Sequence, residues 1–454
     1  MAAGAEEEPV AGAAGLTKAE RAVAAEEQGA AGAAAVRTAA EWAVAVAPTV
    51  AAGAAGVAVE IRSGRPSYHA SAADARSQRR LTAGCDALHQ GTAALLIDLN
   101  GLTPVGVSTA QERPLLQWRA NGQISQTDFS RFRPVRLFEV PPRNELRVVW
   151  RDFSDLPMNT PFFKDALDKS EALEKKPEEF ETDWEVAHRV ATQPGNLPLN
   201  GVVFHMARTG STLIHRLLST TGLVQSLSEP PMIDRALYVT GNYAEKRRSQ
   251  IIRDMVGVFG QPRRPAERYY VLKMTDAMAN TRLWEFRAAY PDTPWIFVYR
   301  DPVEVMVSMI RTSTGNVSSW LNNRTRAAER LRMPALNDPG MWPEQFMART
   351  LRRFCSIAVE AARATAPGKF LAVNYSRLPD AVWESIAPHF GITLTARERE
   401  LMQAEARFSS KRRDAVEFTP DSKKKHEEAN PRVRALAERL VAPEIEELRS
   451  LPQA

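Results

Sequence analysis

The chain reads as an α/β fold, a P-loop three-layer arrangement with a central parallel sheet covered by helices, and three features lead there. Short apolar runs (GVVFH from Gly201, YYVLK from Tyr269, WIFVY from Trp295, FLAVNY from Phe370) alternate with helical stretches such as RLWEFRAAY, VEVMVSMIRT and WPEQFMARTLRRFCSIAVEAARAT. Alternation of this kind argues parallel strands joined by crossover helices. Two of the runs lead straight into a polar loop and a helix. Finally, Arg208, Lys273, Arg300 and Tyr375 fall at the ends of four strands, the rim where parallel sheets bind ligands.

Taken in chain order, residues 1–80 are Ala-rich and nearly free of aromatics, offering little apolar surface to offset the entropy of ordering, so a disordered extension is expected. The start MAAGAEEEPV is acidic where a secretion signal carries positive charge, which makes the cytoplasm the expected location. Residues 43–59 are apolar by count but built of Ala and Gly with Pro48 inside, too short and weak for a membrane span. Residues 81–150 form a small segment with no assigned role, in which RLFEV and LRVVW read as short strands broken by a Pro141-Pro142 turn. The α/β domain is expected over residues 151–454, opening with charged helices between 162 and 191.

Within GVVFHMARTGSTLIHRLLSTTG, a buried strand runs into Arg-Thr-Gly-Ser-Thr and then an amphipathic helix. Backbone N–H groups at such a helix N-terminus cradle anions, so phosphate or sulfate chemistry is the first expectation. The loop has the shape of a Walker A motif without its Lys-Ser/Thr pair, which makes ATP or GTP hydrolysis a poor fit. A plain strand-to-helix turn, with Gly210 for backbone geometry and a hydroxyl cap, is the competing reading of this loop taken alone.

PWIFVYRDPVEVMVSMI repeats the pattern: strand, Arg300-Asp301-Pro302, then a helix that Pro302 can open because it lacks an N–H. Ser308 follows about 12 Å along that helix, so a long Arg and a short hydroxyl could meet different oxygens of a bulky nucleotide phosphate. The pair ARTGST and VYRDPVEVMVS resembles the 5′-phosphosulfate and 3′-phosphate signatures of the sulfotransferases that use 3′-phosphoadenosine-5′-phosphosulfate (PAPS). The resemblance covers roughly residues 155–450.

The resemblance implies roles for further positions. Arg208, Thr209, Gly210, Ser211 and Thr212 would hold the phosphosulfate, and Arg300 and Ser308 the 3′-phosphate. Lys273 takes the place of the family's strand-end lysine. Glu229, in SLSEPP, resembles the catalytic glutamate of the tyrosylprotein and carbohydrate branches, with Asp234 as a local competitor. Tyr375 matches a family tyrosine, although Ser376 and Arg377 replace the acidic pair that follows it there. SSKRRDAVEFTPDSKKKHEE resembles the C-terminal cofactor clasp, with Ser410 and Lys424 as the expected contacts, in competition with the adjacent serine and the two adjacent lysines. His205 and His215 are alternative bases, as in the small-molecule branch, although a packing role suits both positions.

Composition is compatible with this reading. A surplus of five positive charges suits a small anionic ligand without requiring nucleic acid, and two cysteines supply neither a disulfide framework nor a Cys-rich zinc site. No His spacing suggests a metal, and none is expected. Sulfuryl transfer is consistent with that, since the group carries less charge than a phosphoryl group and fixed cations could suffice. Two alternatives stay open: a P-loop kinase-like phosphotransferase, and a non-catalytic module binding nucleotide or, through Lys411–Arg413 and Lys423–Lys425, nucleic acid. The acceptor and the oligomeric state are not legible.

Because the motifs all lie after residue 200, a chain lacking residues 1–80 is expected to keep the melting temperature of the full chain and its binding of adenosine 3′,5′-bisphosphate. Thermal unfolding of both forms with and without the bisphosphate checks this; an insoluble or non-binding truncation would contradict it.

Overall fold

The computed structural model describes residues 116–117, 129–142, 144–154, 156, 160–276, 278–311, 321–408 and 420–454, all within one compact unit, Ala93–Ala454. The extension expected over residues 1–80 and the contact expected at Ser410 lie outside the described residues.

The first strands, β1 (Leu116–Gln117), β2 (Phe132–Val140), β3 (Glu145–Asp152) and β4 (Glu179–Asp183), form one sheet in the order β1-β4-β3-β2. β2 and β3 make an antiparallel hairpin around Pro141-Pro142, as read from the sequence, but each is longer than its apolar run. Phe132, Trp150 and Phe180, from three adjacent strands, pack with Phe129 at ring separations of 4.9–6.5 Å, and Trp150 Nε1 is satisfied by Thr182 Oγ1 at 2.8 Å. Because β4 pairs with β3, this sheet runs across the boundary expected at residue 150. Between 162 and 191 the chain is not purely helical: β4 separates α1 (Phe163–Ala172) from α2 (Trp184–Ala191).

The central sheet joins β5 (Leu199–His205), β6 (Val224–Ser228), β7 (Tyr269–Lys273), β8 (Trp295–Tyr299) and β9 (Phe370–Asn374), in the order β6-β7-β5-β8-β9 with every pair parallel. Strand periodicity sends alternate side chains to opposite faces, and here both faces are apolar. Val202, Phe204, Tyr270, Leu272, Trp295 and Phe297 face a core completed by α5 (Glu245–Gly257), α7 (Leu283–Ala289) and α10 (Pro343–Arg363). Val203, Val271, Ile296 and Val298 face the other, where α3 (Ser211–Thr220) packs with Trp383, Ile386 and Phe390. The three-layer expectation holds. β6 was not foreseen: VQSLS carries three polar residues in five, and its place at the sheet edge next to β7 is a tertiary choice.

From β5 the chain leaves through α3 toward β6, whereas from β8 it leaves through α8 (Pro302–Arg311) toward β9. Adjacent strands whose connections diverge open a crevice at their carboxyl ends, the position where open α/β sheets bind ligands. Four further helices enter below: α4 (Pro231–Val239), α6 (Met278–Thr281), α9 (Arg324–Arg330) and α11 (Ser422–Glu428).

Gly201 fixes how closely β5 meets the layer beneath it, since a Cβ there would fall 2.2 Å from the Phe390 ring. Gly201→Ala is expected to cost about 1–3 kcal/mol, seen as a lower denaturant midpoint at unchanged slope. Adding Phe390→Leu to that variant should recover part of the loss; an unshifted midpoint in the single variant would mean the ring yields freely.

Candidate functional site

The first loop turns on left-handed backbone. Arg208 (φ 63°) and Gly210 (φ 81°) both take positive φ, the second at little cost and the first at about 1 kcal/mol or more because it carries a Cβ. Thr209 between them is fully buried and its hydroxyl donates to Met206 O at 2.9 Å, tying the loop to the end of β5. Gly210 caps α3, so Ser211 and Thr212 occupy its first turn, where N–H groups lack helical acceptors. Left-handed residues interrupting such a turn make a concavity of N–H donors suited to an anion.

The second loop closes on the first. Arg208 Nε donates to Ser308 Oγ at 2.9 Å, joining residues one hundred positions apart. Arg300, only 6% exposed at the end of β8, donates through Nε to Glu304 Oε2 at 2.7 Å, and its guanidinium lies 3.8 Å over the Tyr375 ring. Tyr375 in turn lies against the first loop, since a Cβ on Gly210 would meet its ring and Leu378 at 3.0 Å. Pro302 opens α8 as expected, and Asp301 Oδ1 accepts from Glu304 N at 3.1 Å.

Lys273 and Glu229 form a third group. Lys273, at the end of β7 and 1% exposed, ion-pairs with the Glu229 carboxylate, with Ser228 Oγ 3.4 Å from its Nζ and the Phe162 ring centred 5.2 Å away. Glu229 also takes a left-handed backbone (φ 52°), while its N–H donates to Lys273 O at 2.8 Å. Strained backbone on a non-glycine residue clusters at functional sites.

The C-terminal segment differs in detail from the sequence expectation. Lys424 does not reach the cluster: its side chain is 71% exposed and its nearest partner is Glu428 Oε1 at 4.0 Å. Lys425, its neighbour, is buried and pairs with Asp421 Oδ1 at 2.8 Å, the same oxygen that lies 3.4 Å from Arg300 Nη2. Ser422 Oγ donates to Glu304 Oε2 at 2.8 Å. Ser422 was not among the expected contacts and Lys425 was only one of three competing lysines, although the Asp421–Lys425 spacing of one helical turn was a usable signal. His426 Nε2 stands 3.6 Å from Asp301 Oδ1 and 3.8 Å from Glu304 Oε1.

Burial sorts the titratable groups near Glu229. His215 is enclosed, with Nδ1 against Ser226 Oγ and Nε2 against Thr160 O, both at 2.9 Å, and burial pulls it down to about 4. His205 lies between Met206 O at 2.7 Å and Met274 O at 3.0 Å, and burial, then the charge of Lys273, brings it to about 4 as well. Its Nε2 is 3.8 Å from Glu229 Oε1. Asp234, one turn into α4, is pushed up to about 8 by burial and by the carboxylates of Glu229 and Asp276, against Thr275 Oγ1, which donates to it at 3.0 Å, and Arg330.

No protein-family model matches the chain, and no curated protein matches it. Solved structures similar to it include the sulfotransferase domain of the Synechococcus PCC 7002 olefin synthase (16% identity, 57% of this chain and 96% of that one, TM-score 0.32). Sulfotransferase STF9 from Mycobacterium avium shares 14% identity over 59% of this chain and 79% of its own, with a TM-score of 0.35. A sulfotransferase from Alicyclobacillus acidocaldarius shares 14% identity over 56% and 95%, with a TM-score of 0.31.

These protonation states act on stability in opposite directions. Asp234 is held neutral in the fold, so its contribution is present below the unfolded value of 3.8 and lost as pH rises through about 8. For the two histidines, stability is present above 6.5 and lost as pH falls to about 4. Asp234→Asn keeps the acceptor for Thr275 but cannot ionise. It is expected to raise the melting temperature at pH 8 by a few degrees and leave it nearly unchanged at pH 4; equal effects at both pH values would refute the raised Asp234.

Proposed function

We propose that the chain transfers a sulfuryl group from PAPS to a hydroxyl acceptor. The observation that carries this reading is the meeting of two strand-loop-helix units, through Arg208 on Ser308 and through Tyr375 between Gly210 and Arg300, with the Lys273–Glu229 pair on the neighbouring strand end. Arg208 and the N–H groups of Thr209–Thr212 hold the phosphosulfate. Arg300 and Ser308 read the 3′-phosphate, with Lys425 close by through Asp421.

In the reaction the acceptor oxygen attacks sulfur in line, the bond between sulfur and the bridging phosphate oxygen breaks, and adenosine 3′,5′-bisphosphate leaves. Glu229 takes the acceptor proton. Lys273, drawn from Glu229 toward the donor, neutralises charge developing on the leaving phosphate. His205 and His215 suit this role less well, because both nitrogens of each ring already face protein acceptors or hydroxyls. The left-handed turn at Glu229 holds the carboxylate at the strand end by backbone geometry.

Adenosine 3′,5′-bisphosphate is expected to raise the melting temperature more than 5′-AMP at equal concentration, because stabilisation follows ligand affinity for the folded state. Arg300→Ala and Ser308→Ala should each remove most of that difference, and equal shifts from the two nucleotides in the unmodified protein would sink the 3′-phosphate assignment. With an acceptor found by searching for sulfated products in the presence of PAPS, Glu229→Gln should lower turnover by about 10² to 10⁴ while bisphosphate binding holds. An active Glu229→Gln beside an inactive His205→Asn would move the base to the histidine.

A further inference from the structure

Beyond Asp234, the next turn of α4 brings up Tyr238, and three guanidiniums gather around its ring. The Cζ atoms of Arg235, Arg330 and Arg282 lie 5.6, 5.8 and 6.0 Å from the ring centroid. They come from α4, from the end of α9 and from the residue before α7, so no single helix imposes the grouping. An aromatic ring attracts cations to its faces, but three cations sharing one ring also repel one another.

The nearby carboxylates answer this charge only in part. Glu285 Oε1 is 3.6 Å from Arg282 Nη1 but bonded more closely, at 2.6 Å, by Arg332. Arg282 is 6% exposed, and its Nε and Nη1 have no hydrogen-bond partner among the described residues. Arg235 spends Nε on Leu137 O at 3.0 Å. After burial, like charge is the next influence on two of these groups, Arg332 on Arg282 and Arg326 on Arg330, with Arg248 and Arg235 adding to it. Glu329 and Asp234 flank Arg330, and Asp234 is the carboxyl held toward its neutral form. A buried guanidinium with unsatisfied donors is destabilising unless an acceptor reaches it.

The cluster is continuous with the proposed base. Asp234 feels both Glu229 and Arg330, and it sits one helical turn before Tyr238 on α4, the helix that starts two residues after Glu229. We infer that Arg235, Arg282 and Arg330 bind a fixed anionic group (sulfate, phosphate or carboxylate) on the acceptor, which makes the acceptor class a hydroxyl compound already carrying negative charge away from the reacting hydroxyl. Tyr238 supplies the flat surface that keeps the three guanidiniums oriented. The inference rests on Glu229 marking the acceptor side of the site.

The test is a titration of the full chain with inorganic sulfate, followed by heat of binding, first with adenosine 3′,5′-bisphosphate saturating the donor site and then without it. Lactose 6′-sulfate and lactose serve as a charged and uncharged pair. With the bisphosphate present, the unmodified protein should bind sulfate and prefer the sulfated sugar by about tenfold or more, and Arg330→Gln and Arg235→Gln should each weaken both by about tenfold. Arg330→Lys, which keeps charge but not the planar fork, should fall between. Bisphosphate binding should be unchanged in every variant. Sulfate affinity unmoved by Arg330→Gln and Arg235→Gln, or no preference for the sulfated sugar, would overturn the inference. Failure of the bisphosphate to bind would instead strike the proposed donor, while the response of sulfate to the same two substitutions would still report on the arginines.

Discussion

A sheet buried on both faces leaves its charged side chains only the strand ends, and the candidate site depends on that constraint at the carboxyl edge. Val202 to Phe204, Val271 and Leu272, and Ile296 to Val298 send apolar side chains alternately to either layer, so these three central strands carry charge only where they end. Lys273 and Arg300 emerge there, and the chain turns into Arg208 and Tyr375 just beyond. Because β5 and β8 are neighbours whose connections lead to opposite sides, their two loops face each other across one crevice. The contact of Arg208 with Ser308 is a consequence of topology as much as of the two side chains.

The central sheet was legible because its strands are continuous apolar runs and its helices begin with recognisable chemistry, such as Pro302 opening α8. What was not legible depended on packing. β6 contains Gln225, Ser226 and Ser228, and nothing in VQSLS says that β7 will accept it as an edge partner. β4, EFETD, alternates correctly for a strand but sits among charged residues that read as helix. In the small sheet the apolar runs were visible while their partner β4 was not, so the segment looked separable at residue 150.

The same contrast holds within the site. Strand ends marked Arg208, Lys273, Arg300 and Tyr375 in advance, since a polar residue after an apolar run is visible in one dimension. Choosing among three consecutive lysines required knowing which side of α11 faces α8, and Lys425 rather than Lys424 faces inward. The arginines around Tyr238 carried no sequence signal at all: Arg235, Arg282 and Arg330 are spread over nearly one hundred residues, and only the fold gathers them.

Arg300 has its long side chain fixed from several sides by folding itself: stacked on Tyr375 and held by Glu304, with Asp421 within reach. An arginine on a free surface gives up roughly 2 kcal/mol of rotamer entropy when a ligand immobilises it. Here that loss belongs to the folding equilibrium. An anion arriving at this strand end meets a guanidinium already aimed, so its recognition turns on whether its oxygens fit the fixed plane and on how readily Glu304 and Asp421 give up their share of the charge.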